Sequence, residues 1–179
     1  MIPNLNDFCD CCGGDSQPIL QLFNDKCFKV VEGKEARESF CLNDFAFPTD
    51  GESCVGLTGT VDGGTVVLFD NNVLLPQTSP AQSLDSGRLY ARGILLKVTY
   101  PANDNNGEEI LIANKSVTLL IEKADTLEVT EYSLYNFFAI FTNPKSNNAS
   151  DLINKIEIIN PNLDYQVRVS ALIVYGLAN

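Results

Sequence analysis

Histidine and tryptophan are absent from this chain of 179 residues, and methionine occurs once. Without an imidazole there is no Ser-His or Cys-His nucleophile pair, no His-ligated zinc and no imidazole acid–base step. Most hydrolase mechanisms fall with it, and no enzymatic activity is expected. Basic residues are scarce too: 12 Lys and Arg stand against 23 Asp and Glu, a net charge of −11. Nucleic-acid binding rests on cations that neutralise phosphates, so that class is disfavoured, as is adsorption to an anionic membrane. No apolar run approaches the ~20 residues of a membrane span, so membrane insertion is not expected. The opening residues, Met1-Ile2-Pro3-Asn4-Leu5-Asn6-Asp7, carry neither a basic region nor an apolar segment, and do not read as a secretory signal.

What remains is a chain of one-domain size, able to bury roughly 70 % of its unfolded surface without covalent staples. Its six cysteines therefore call for another explanation. Residues 1–17 form a block of Pro, Asn, Asp and Gly with Cys9, Cys11 and Cys12 and no periodicity, closed by Gly13-Gly14-Asp15-Ser16. This reads as a flexible N-terminal arm in front of a folded body at 18–179. Fifteen extended residues reach about 50 Å, more than the roughly 40 Å width of such a domain. The arm is long enough to reach a neighbouring molecule.

From Ile19 the chain alternates strand-like runs with turns. Ile19–Phe23, Cys27–Val31, Phe40–Leu42 and Phe45–Phe47 are short apolar runs. Cys54–Thr60 and Thr65–Phe69, separated by Asp62-Gly63-Gly64, read as a hairpin, because Asp-Gly tolerates the positive φ of a tight turn. Arg88–Tyr100, the run around Val117, Leu119 and Ile121, Tyr132–Thr142, Leu152–Ile159 and Tyr165–Leu177 complete the pattern. In the last, Val167, Val169, Ala171, Ile173 and Tyr175 share one face. Many strands without intervening helices predict an all-β jelly roll or β-sandwich. Ile94-Leu95-Leu96 and Ala171-Leu172-Ile173-Val174 are apolar on both faces, so the face away from the core needs a cover, from a second sheet or another subunit.

All six cysteines (Cys9, Cys11, Cys12, Cys27, Cys41, Cys54) lie in the first third of the chain. Adjacent Cys11 and Cys12 are poorly placed to pair with each other, since a disulfide favours Cα atoms about 5.5 Å apart and a trans peptide holds them 3.8 Å apart. In an extended arm they point to opposite sides, towards two different partners. Cys9 to Cys12 is formally C-x-x-C, but that redox chemistry belongs at a helix N-terminus in a βαβ unit. A zinc site would lack the usual paired knuckles. Buried thiols suit Cys27, Cys41 and Cys54 within strands, not the arm. Disulfide cross-linking, within or between chains, accounts best for the set, and no cofactor is expected.

Cys11-Cys12, a mixed spacer and then Asp25-Lys26-Cys27 at the opening of a β domain resembles the endospore appendage (Ena-type) pilus subunits of spore-forming bacilli. The matching stretch covers residues 8–27. The resemblance implies a jelly-roll subunit whose arm forms disulfides with preceding copies in a resistant filament. Cys11 and Cys12, with Cys9 beside them, would be the connector cysteines, and Cys27 an acceptor on an early strand. No cysteine follows Cys54, so a second acceptor falls to Cys41 or Cys54. The partner implied is the chain itself, head to tail, on a cell or spore surface and assembled outside Sec secretion, with other surfaces or spores as further contacts. The alternative is a binding module, either a carbohydrate-recognising sandwich or a phage or capsid jelly roll, with Tyr90, Tyr100, Tyr132 and Tyr135 as candidate stacking residues. Asn103–Glu109 misses calcium-loop spacing and reads as a solvated turn.

Overall fold

The computed structural model describes residues 29–32, 52–73, 88–111, 117–141 and 148–177. These contain nine strands: β1 (Lys29–Glu32), β2 (Glu52–Val61), β3 (Gly64–Asp70), β4 (Leu89–Thr99), β5 (Thr118–Lys123), β6 (Val129–Ser133), β7 (Phe137–Phe141), β8 (Ile153–Asn160) and β9 (Val167–Leu177). Every pairing is antiparallel. One sheet runs β1-β2-β9-β4-β7 and the other β3-β8-β5-β6, joined by the single pairing of Ala91 with Ile153. Apart from β5 and β6, successive strands from β2 onward fall in opposite sheets, the two-sheet order of a jelly roll. The fold is the all-β sandwich that the alternating pattern predicts.

Period-2 alternation puts one side of each strand into the space between the sheets. The five-residue face of β9 pairs across its sheet with β2 and β4, so Ile173 lies between Val55 and Ile94, and Ala171 between Leu57 and Leu96. Leu119, Ile121, Ile156 and Ile158 come from the opposite sheet into the same buried cluster. A bulge at Ala91/Gly93 lets β4 change alignment near the point where the sheets join. The outer face of the larger sheet is also apolar at one end, and Leu95, Leu172 and Val174 are buried in the isolated chain.

Two local readings are corrected. Cys54–Thr60 and Thr65–Phe69 are strands but not a hairpin, because β2 lies between β1 and β9 whereas β3 pairs with β8. The Asp62-Gly63 turn carries the chain from one sheet to the other. Gly64 sits at φ +137°, a backbone conformation that favours glycine, whereas a side chain at Gly63 would meet Leu163 Cδ2 at 2.6 Å, the end of an exposed side chain that can move aside. The run Tyr132–Thr142 is not one strand. It divides into β6 and β7, which belong to different sheets and are joined by Leu134-Tyr135-Asn136.

Candidate functional site

The turn after β2 and the connections β4–β5, β6–β7 and β8–β9 meet at one end of the sandwich. Their polar backbone groups are paired across the loops. Asn160, with none of its surface exposed, donates to the carbonyls of Val61 at 3.2 Å and Tyr165 at 3.0 Å. The Asn105 amide donates to the Asp164 carbonyl at 2.7 Å. Asp104 accepts from the amides of Asn106 and Glu108, and Gly107 adopts φ +83°, so Asn103–Glu109 is the turn its composition predicts.

Between the start of β7 and the β4–β5 connection lies an open cleft of about 500 Å³. Lys97, Tyr100, Glu109, Ile110, Tyr135 and Phe137 are among its walls. Tyr135 and Phe137 are each 53 % exposed, which is unusual for large rings on a well-packed sandwich. Tyr100 is fixed from behind. Its hydroxyl donates to the Leu134 carbonyl at 2.6 Å and its ring lies 6.2 Å from that of Tyr165. Burial first, then the neighbouring Tyr165 and Tyr135, drive the Tyr100 hydroxyl well above its ordinary pKa, so it stays a neutral donor. A smaller hollow of about 260 Å³ flanks Tyr100 on the side of Thr60 and Arg168.

The four tyrosines proposed as a platform separate in the structure. Tyr90 is fully buried, in a small cluster with Ala124 and Leu152. Tyr132 packs at the core margin, its ring 4.7 Å from Phe138. Of these four tyrosines only Tyr135 is an exposed ring in the cleft, with Tyr100 as part of its wall. Nothing in the sequence marks Phe137 and Lys97 as a pair. They sit directly opposite each other on β7 and β4, a pairing invisible until β7 is known to be the partner of β4.

Of the six cysteines, Cys54 alone lies among the described residues. It stands opposite Val174 on the outer face of the larger sheet and is 1 % exposed. A thiol from another molecule reaches this sulfur only if that face opens. Cys9, Cys11, Cys12, Cys27 and Cys41 lie outside the described residues, as does the arm at 1–17. Among the described residues no three His, Cys, Asp or Glu side chains gather as a metal site.

The smaller sheet turns a charged outer face to solvent. Glu122, Lys155 and Asp70 are in register across β5, β8 and β3, and Lys155 Nζ lies 3.5 Å from Glu157. Partial burial raises the Glu122 pKa, with Asp70 and Glu157 adding to the rise and Asn154 and Lys155 opposing it.

Fold and cleft together define an antiparallel jelly roll with an aromatic-lined hollow at its loop end. The chain matches no family model, and a search of curated proteins gives no match.

Proposed function

We propose that the protein is a structural subunit that assembles with copies of itself into a cell-surface or spore-surface filament, its N-terminal arm cross-linked to neighbours by disulfides. The supporting observation is β7. This strand, Phe137-Phe138-Ala139-Ile140-Phe141, has no charge, proline or bulge and, among the described residues, pairs only with β4. Ala139 and Phe137 are exposed. Monomeric sandwiches protect such edges with lysine, proline or bulges, because an open row of backbone donors and acceptors adds any strand offered to it. An uncharged apolar edge suits a chain whose normal state is to be joined there. The net charge of −11 opposes indiscriminate contact elsewhere on the surface. The three arm cysteines, Cys9, Cys11 and Cys12, then make a reversible contact covalent. The resemblance to endospore appendage pilins supports the same reading.

The test is electron microscopy of the purified full chain, oxidised and reduced, beside Ala139→Lys. Filaments that withstand denaturant when oxidised and disperse when reduced are expected. The lysine places a charge on the open edge and should leave a folded, dispersed protein by circular dichroism. Monomers of the unaltered chain under both redox conditions would refute the reading.

A further inference from the structure

We propose that the loop-end cleft binds a neutral oligosaccharide. Two kinds of surface meet there. Tyr135 and Phe137 hold half-exposed rings in water, and the polar side chains of Lys97, Thr99, Glu109 and Asn136 line the same hollow. A pyranose presents the complement, an apolar C–H face for an aromatic ring and a rim of hydroxyls for donors and acceptors.

The charges narrow the class. Among the described residues the cleft carries one cation, Lys97, and one carboxylate, Glu109, and neither side chain has an ion-pair partner among them. Their signs cancel, so a phosphorylated or strongly acidic ligand gains little, and the net charge of −11 repels it further. A hydroxyl-rich neutral ligand can use both as hydrogen-bonding groups. At about 500 Å³ the hollow is within the size range of small-ligand sites, and its open side lets a longer saccharide continue past it.

The walls are held before any ligand arrives. Tyr100 is anchored on the Leu134 carbonyl at 2.6 Å, the Val98 amide donates to the Asn136 carbonyl at 2.9 Å, and the Ile110 amide donates to the Ala102 carbonyl at 3.1 Å. Side chains and loops already ordered cost less to use in binding.

Cellohexaose, maltohexaose and N-acetylchitohexaose serve as probes for the full-length chain. Binding is read by titration calorimetry and by fluorescence of the six tyrosines, which no tryptophan obscures. Saturable binding of at least one probe at about 1 mM or tighter is expected. Tyr135→Ala and Phe137→Ala should each weaken it by roughly tenfold, the equivalent of a lost stacking contact. Val129→Ala, which removes an exposed apolar side chain from β6 outside the cleft, should not change it. Failure of all three probes to bind overturns the proposal, as does binding that survives the Tyr135→Ala/Phe137→Ala double substitution. If those substitutions change only the sedimentation of the protein and no saccharide binds, the rings belong to a contact between copies and the proposal is likewise overturned.

Discussion

The Asn160 side chain donates to the Val61 carbonyl, 99 residues earlier in the chain, at 3.2 Å. The two residues end β8 and β2, which lie in opposite sheets. The same amide nitrogen reaches the Tyr165 carbonyl at 3.0 Å, and its oxygen accepts from the backbone and side-chain nitrogens of Asn162, each at 3.0 Å. One buried side chain thus fastens both sheets and the β8–β9 connection at the end where the cleft forms.

Asn160→Ala removes both donated bonds and leaves two carbonyls without this partner, so a loss of about 2–4 kcal/mol is expected. Asn160→Asp keeps the shape and the acceptor but cannot donate, and should lose at least as much by adding a charge at a buried position. Urea unfolding followed by tyrosine fluorescence measures both. Variants within about 0.5 kcal/mol of the unaltered chain would show that this residue is not the fastening.

Much of this fold is legible in the residues. Val167, Val169, Ala171, Ile173 and Tyr175 alternate strictly, and all five are buried in the main core. Arg88–Tyr100 and Leu152–Ile159 match β4 and β8 to within a residue or two. Partner choice is not legible. Asp62-Gly63 encodes a reversal of the chain, but which strand β3 joins is decided by β8, some 90 residues on. The break between β6 and β7 has no glycine or proline to mark it. It is set by tertiary bonds, from Tyr100 to the Leu134 carbonyl and from Val98 to the Asn136 carbonyl. The cleft is hidden for the same reason. Tyr135 is one candidate ring among four until that break turns it outward, and Phe137 gains its meaning from standing opposite Lys97. The arm cysteines are plain in the sequence, but adjacent thiols carry no information about their partners.

Glu122 gives the outer face of the smaller sheet a pH dependence of definite sign. Burial raises its folded-state pKa above the ordinary 4.5, so the folded protein holds this proton more tightly than the unfolded chain. Stability contributed by the group is present below 4.5 and is lost as pH rises through the folded value. Glu122→Gln removes the titration, so the variant should be more stable than the unaltered chain at pH 7, with the difference disappearing below the ordinary carboxylate value. Because the group is only partly buried, solvent screening should keep the gain under about 1 kcal/mol. Thermal melts across pH 3 to 8 give the sign, and a variant less stable at pH 7 would mean that the Lys155 and Asn154 interactions outweigh burial.

Substituting Cys11 and Cys12 tests whether the proposed assembly and its permanence are separate. On the proposed reading, copies join along β7, which pairs only with β4 among the described residues, and such a contact dissociates at a rate set by its area and fit. A disulfide adds a bond that reduction or exchange must break, so the lifetime of the assembly becomes a redox property. Cys11→Ser combined with Cys12→Ser should therefore leave the domain folded and able to associate. Filaments of the variant should disperse in heat, acid or denaturant under oxidising conditions that leave the unaltered filaments intact, and reductant should make no further difference to them. Unchanged resistance in the double variant would place the cross-links on other cysteines, or make the contact itself the source of resistance. Reductant tells these apart: cross-links on other cysteines would make the double variant fragile once reduced, whereas a contact resistant in itself would persist.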